Sequence, residues 1–244
     1  MTRHHVRVAP GVKVEIWSDV VCPWCYIGKR RFEQALAGFH HRDEVEVVWR
    51  AFELDPSAPA ERTGGYAENL AGKYGVPLAQ AEQMIDTMTA TAAQDGLDFD
   101  FGTARPGNTF DAHRLLHLAA ERGVQDAVKE RLLRATFTEG EPVGDSETLV
   151  RLVTDAGLDA DEARAVLASD RYAAEVRGDE QQARAYGISG VPFFVVDGRY
   201  GVSGAQPAEM IAEVLQTAWR ESRPTPLVTA GGDAPGCEGD ACAV

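Results

Sequence analysis

Cys22 and Cys25 stand two residues apart in SDVVCPWCYIGKRRFE, residues 18–33. A pair at this spacing can exchange with other disulfides, clip a metal ion or act as a structural staple. Zinc takes four ligands, most often as two such pairs, and the second pair here is Cys237 and Cys242, a C-x4-C at the far end of the chain. Four cysteines in 244 residues are too few and too unevenly placed for a disulfide scaffold. The spacing therefore favours exchange chemistry. His113 and His117, in HRLLH, have the i, i+4 spacing of two ligands on one helix face, but no glutamate lies between them and no third ligand is evident, so no metal is expected. His4, His5, His40 and His41 read as surface residues. GVSGAQP, residues 201–207, lacks the Lys-Ser/Thr ending of a phosphate loop, and neither a nucleotide nor a flavin cofactor is expected.

Exchange chemistry needs an element that exposes and activates one sulfur. Val12 to Trp17 (VKVEIW) alternates and is rich in β-branched residues, which predicts a strand. A helix beginning after Cys22 puts Pro23 in its first turn, where a missing N–H costs nothing. The unpaired N–H groups and the positive end of the helix dipole then stabilise a thiolate at Cys22. Cys25 follows on the same face, close enough to resolve a mixed disulfide formed by Cys22. A second strand is predicted over Val45 to Phe52, completing a βαβ unit.

From Gly64 to about Gly187 strand character disappears. Apolar residues recur at three- and four-residue steps, which predicts helices beginning near Tyr66, Ala79, Phe110, Gln125, Ser146, Ala160 and Tyr172. Their expected stops are Gly75, Gly96, Gly123, Gly140, Gly157 and Gly187. GDSETL offers a cap at Asp145 or Ser146, and LDADEARAVL another at Asp159. Two extended runs around Asp197-Gly198 predict a hairpin with a two-residue type I′ turn. Pro207 to Arg220 reads as a closing amphipathic helix with Met210, Ile211, Val214, Leu215, Ala218 and Trp219 on its apolar stripe. The Pro/Gly-rich remainder reads as a flexible tail. The expected organisation is a discontinuous sheet domain, residues 12–63 and 187–220, a helical insertion, 64–186, and a tail, 221–244.

The net charge of −14 argues against a nucleic-acid or anionic-membrane partner, since both need clustered Lys and Arg. No apolar run has signal-peptide or membrane-spanning length, so a cytoplasmic location is expected.

WSDVVCPWCYIGKRRFE ahead of a helix and GISGVPFFVVDGRYGVSGAQP near the end resemble the DsbA-type thioredoxin-fold oxidoreductases, most closely their FrnE-like branch, over Val12 to about Trp219. The resemblance implies an α/β thioredoxin fold carrying a large all-helical insertion. It also implies a cis Val191–Pro192 bond packed against the cysteines, with these two residues forming a substrate-docking loop. Pro23 and Trp24 would tune the pair. The substrates would be protein disulfides or dithiols, with a thioredoxin- or glutathione-type reductant as recycling partner. GNTFDAHRLLHLA, residues 107–119, resembles a segment of the family's insertion near the redox site, which offers Asn108 and His113 as pocket residues; the other reading is a helix cap and ordinary polar surface. Trp24 stands where periplasmic members carry a histidine, so no cation is available there and a less oxidising pair is expected.

Cys237 and Cys242 read either as an unused pair or as an auxiliary redox pair. Cys237 is eighteen residues beyond Trp219, a reach of roughly 20–25 Å r.m.s. for a flexible chain. Two rival functions use the same architecture. One is a glutathione-dependent isomerase of the 2-hydroxychromene-2-carboxylate type, but those enzymes generally place a serine where Cys22 stands and have no use for Cys25. The other is a redox-linked holdase or binding protein.

Overall fold

The computed structural model describes residues 11–223. The expectations for His4, His5, Cys237 and Cys242 lie outside the described residues.

The organising element is strand β1, Val12–Ser18, whose residues are buried along almost its whole length. Continuous burial is what a strand covered on both faces requires. β1 pairs in parallel with β2, Val45–Ala51, after a crossover through helix α1, Pro23–Ala37, and a short 3-10 turn, Arg42–Glu44. On its other side it pairs antiparallel with β3, Phe193–Val196, which pairs antiparallel with β4, Tyr200–Ser203. The sheet order is β2-β1-β3-β4. A final helix, α9, Ala208–Glu221, lies beside α1. Between β2 and β3 the chain makes α2, Tyr66–Tyr74, α3, Leu78–Gln94, α4, Phe110–Glu121, α5, Gln125–Phe137, α6, Ser146–Asp155, α7, Ala160–Leu167, and α8, Ala173–Ala185. This is a thioredoxin fold carrying a large helical insertion.

The two faces of β1 separate its side chains by their period of two. Val14 and Ile16 join Phe32, Phe39, Phe194, Ile211 and Leu215 beneath α1 and α9. Trp17, on the opposite face, packs with Ala183, Ile188 and Val195. A third cluster joins Leu115, Leu132, Leu149 and Val153 of the inserted helices and draws in Val20 from the segment between β1 and α1. A fourth, with Tyr26, Ile27, Phe99, Phe101, Leu133 and Phe137, joins α1 to α3 and α5. Each cluster buries side chains worth roughly 1.5–3 kcal/mol apiece, so the insertion and the sheet share apolar surface through α1.

Local chemistry sets the helix ends. Asp145 and Asp159 accept from the backbone N–H of Thr148 and Glu162, as side-chain caps do. Gly75, Gly96, Gly123, Gly140, Gly157 and Gly187 all have positive φ. Asp197 and Gly198 also have positive φ (51° and 64°), and the Arg199 N–H donates to the Val196 carbonyl at 3.0 Å. The hairpin nevertheless differs from the two-residue expectation, because Val196 pairs with Tyr200 and leaves Asp197, Gly198 and Arg199 in the loop. The Asp197 side chain is drawn away to accept from the Lys13 N–H at 2.7 Å, which ties the loop to β1. Met210, expected on the apolar stripe of α9, is 46% exposed; the stripe that meets the sheet runs through Ile211, Leu215 and Ala218.

Helix α8 closes the β2 edge through one carboxylate. Asp179, almost fully buried, accepts from the Ala51 N–H at 2.9 Å and from Arg50 Nη1 at 3.0 Å, and lies 3.0 Å from His117 Nε2. Its backbone carbonyl accepts from the Trp17 indole at 2.9 Å. A free strand edge invites pairing with other chains, and this helix covers it. Replacing Asp179 with Ala is expected to destabilise the fold by roughly 2–4 kcal/mol, because Arg50 and the Ala51 amide lose a buried partner. Urea unfolding monitored by circular dichroism checks this; a loss below about 0.5 kcal/mol would mean that apolar packing alone holds α8.

Candidate active site

β1 ends at Ser18 and α1 begins at Pro23, leaving Asp19, Val20, Val21 and Cys22 to make the turn. Cys22 is the N-cap residue, extended at φ −99° and ψ 111°, and Pro23 occupies the first helical position. The Cys25 N–H donates to the Cys22 carbonyl at 3.0 Å. Both thiols are free and buried, Cys22 at 4% exposure and Cys25 at 1%. Trp24, between them in sequence, is 40% exposed. Burial pushes the Cys25 thiol well above its usual range, and its hydrogen bond to Cys22 adds to the effect.

The Val191–Pro192 peptide is cis and lies against this helix start. The Cys22 thiol points to the Val191 carbonyl, with Sγ 3.5 Å from the oxygen. Pro192 is buried, and its own carbonyl accepts from the Gly204 N–H at 2.8 Å. On the other side Pro192 meets Gly28, one turn into α1. A Cβ built on Gly28 would lie 2.8 Å from Pro192 Cγ, so only glycine permits this approach. The sequence carries a weak signal of it, since a glycine in a helix interior is unfavourable unless packing requires it.

Behind the cysteines lies a buried polar group that spacing alone did not identify. Asp19 is fully buried; its Oδ2 accepts from the Leu54 N–H at 2.8 Å, and its Oδ1 lies 3.4 Å from His113 Nε2. Burial pushes this carboxyl up, but His113 and the Leu54 amide outweigh burial and hold it below the usual range. Burial also raises the Tyr66 phenol above its ordinary value, with the charge of Cys22 as the next cause. Lys129 of α5 is fully buried, and its Nζ donates to the Ser18 carbonyl at 3.4 Å. Burial pulls this ammonium down to about 8, against the opposing pull of Cys25, Asp19 and Cys22.

A cavity of about 390 Å³ opens beside the turn, walled by Asp19, Val21, Arg62, Tyr66, Lys73 and Thr109 among others. Asn108 is not in its wall, although Gly107 and Thr109 are. The Asn108 side chain instead accepts from the Phe110 N–H at 3.0 Å and donates to the Pro56 carbonyl at 3.4 Å, ordering the start of α4. His113 is 1% exposed and faces Asp19, so it supports the turn from behind without meeting solvent. His117, one turn on, faces Asp179, so the two imidazoles address different carboxylates.

Comparison with known proteins agrees with this architecture. The crystal structure of a probable DsbA oxidoreductase, SCO1869 from Streptomyces coelicolor, superimposes with a TM-score of 0.83 at 50% identity, covering 96% of this chain and 99% of that one. The cytosolic disulfide reductase DsbM from Pseudomonas aeruginosa, solved with GSH, shares the fold at a TM-score of 0.60 and 18% identity, covering 85% of this chain and 99% of that one. The uncharacterized protein YwbO of Bacillus subtilis (strain 168) is 28% identical over 187 residues, 76% of this chain and 86% of its own. The family model of the DSBA-like thioredoxin domain matches residues 13–216, and with the strand order, the inserted helices and the cysteine pair at the head of α1, it identifies the chain as a member of the DSBA-like thioredoxin family.

Proposed function

We propose that the protein is a thiol–disulfide oxidoreductase acting on protein disulfides or dithiols through Cys22 and Cys25. The observation that carries this reading is the asymmetry of the two sulfurs: Cys22 caps α1 and lies 3.5 Å from the Val191 carbonyl, while Cys25 is enclosed behind it with its thiol disfavoured as an anion. Cys22 attacks a substrate disulfide, forming a mixed disulfide and releasing one substrate thiol. Cys25 then attacks Cys22 Sγ, closing the Cys22–Cys25 bond and releasing the second thiol. Pro23 opens the helix and Trp24 offers an exposed ring beside the reacting sulfur. Val191 and Pro192 form the docking loop, where an extended substrate segment would pair with backbone beside the cysteines.

The cavity beside the turn favours a small thiol as recycling partner. Lys73 in its wall suits a carboxylate of a glutathione-type peptide, Arg62 beside it is paired with Asp55 of the same wall, and the structural relative DsbM was solved with GSH. An isomerase of the 2-hydroxychromene-2-carboxylate type has no role for Cys25, whose placement behind Cys22 supports disulfide chemistry instead. No helix among the described residues is long and apolar enough to cross a membrane, and the less oxidising pair expected from Trp24 suits the FrnE-like resemblance of the motifs and a reducing, cytoplasmic compartment. The proposal extends to the Cys237–Cys242 pair, outside the described residues, as an auxiliary redox relay, the alternative being an unused pair.

Two experiments test the reading. Alkylation with limiting reagent near neutral pH, followed by peptide mass analysis, is expected to modify Cys22 before Cys25; preferential modification of Cys25 would reverse their roles. Gly28→Ala is expected to lower the insulin-reduction rate at least tenfold, because the new methyl group displaces Pro192 from α1. Helix propensity alone would make the same change stabilising by about 0.5–1 kcal/mol, so full activity with a raised melting temperature would show that the close approach is dispensable.

A further inference from the structure

Two lysines are buried beside the cysteine turn, and their surroundings differ. Lys29 of α1 is 2% exposed and is paired with Glu33, with Asp126 at 3.3 Å and with Glu130 at 3.1 Å. Lys129 lies on α5 between those last two carboxylates in sequence, yet both turn toward Lys29. Among the described residues Lys129 makes no ion pair; its Nζ has the Ser18 carbonyl at 3.4 Å and the Trp49 ring centre at 5.5 Å. A carbonyl dipole and a ring face do not neutralise an ammonium. A buried charge without a counter-ion is strongly unfavourable, and an ordinary core position would hold Leu or Met.

The groups that face Lys129 show what balances it. From the head of α1 come Cys25 and Cys22, and from the turn comes Asp19; Lys29 opposes them, and β2 contributes only the neutral Trp49 ring. Asp19 is itself engaged by His113 of α4. Asp19, held below the usual carboxylate range, is an anion in both redox states, so the anion that comes and goes beside Lys129 is a thiolate, present when the cysteine pair is reduced and absent when it is a disulfide. The Ser18–Asp19 peptide links the two: Lys129 donates to its carbonyl end, and its amide end meets Cys25, whose thiol is hydrogen-bonded to Cys22. Hydrogen bonds in series polarise one another, so charge at one end strengthens donation at the other.

We propose that Lys129 is the buried counter-cation of the reduced Cys22–Cys25 pair, a positioning residue that poises the redox couple and ties it to one proton. The inference rests on the oxidoreductase reading. On oxidation one S–S bond forms between Cys22 and Cys25 and one breaks in the substrate, whose two sulfurs take the electron pair. One sulfur takes the Cys25 proton. The other takes a second proton, balanced by the one Lys129 releases when its ammonium loses its anionic partner as the thiolate disappears.

The test equilibrates the full-length protein with reduced and oxidised glutathione, wild type beside Lys129→Met, and follows the Lys129 amine of the wild type by NMR titration in both redox states. The variant is expected to favour the disulfide about tenfold more than the wild type, a potential about 30 mV more negative. In the wild type, Lys129 is expected to titrate at higher pH when the cysteines are reduced than when they are oxidised. A folded variant with an unchanged equilibrium constant, or identical wild-type titrations in the two states, overturns the proposal; the titration decides alone should the variant not fold. Wild-type protein that never equilibrates with glutathione would overturn the oxidoreductase reading and this inference together.

Discussion

Helix α1 and the segment entering β3 meet with no room for a methyl group between them, and the site depends on that contact. Trp17 pairs with Phe193 across β1 and β3, which brings Pro192 over the first turn of the helix. Gly28 lets the ring settle, with the Phe194 ring and Phe32 stacked beneath at 5.8 Å. The Val191 carbonyl arrives at Cys22 Sγ as a result, although 169 residues separate them in the chain. Sheet register, helix position and sulfur environment are thus one geometric condition. A shift of β3 by one residue would turn its core side chains to the other face and carry the carbonyl away from the thiol.

Charge around the site differs from that of the whole molecule. The chain carries a net −14, but the charges packed near the cysteines are few and enclosed: Lys129, Asp19, and Lys29 with its carboxylate partners. Exposed charges are screened within about 8 Å at physiological ionic strength, whereas buried ones act through a weakly polarisable interior. The sulfurs therefore respond to a few enclosed charges more than to the acidic surface, and bulk charge says little about redox poise.

Much of this was legible in the sequence where a residue type has one structural use. Pro23 after Cys22, the aspartates at 145 and 159, and the glycines with positive φ each specify a local conformation, and the elements follow from them. The cysteine pair and the helix behind it were legible for the same reason. What escaped depends on partners distant in sequence. Gly28 reads as a weak point in a helix until Pro192 is placed against it, and Lys129 reads as a surface cation among Glu and Arg until α5 is turned to the sheet. Of the two readings open for Asn108 and His113, pocket residues or helix cap and polar surface, Asn108 takes the second at the start of α4, while His113 faces the buried Asp19, a partner far away in sequence. The hairpin loop holds one residue more than expected, and its Asp197 bonds to Lys13, a partner invisible from the turn itself.

The Asp179 carboxylate has a consequence for how such a chain can be altered over evolutionary time. It sits on the last helix of a long excursion, yet it satisfies the backbone of the edge strand, an arginine of that strand and, through its carbonyl, the indole of the central one. Glu130, earlier in the same excursion, holds Arg30 and Lys29. The inserted helices are therefore not cargo on a self-sufficient scaffold. Shortening or swapping them as a cassette would bare one sheet edge and strand two cations, so their docked faces must change together with the strands they cover.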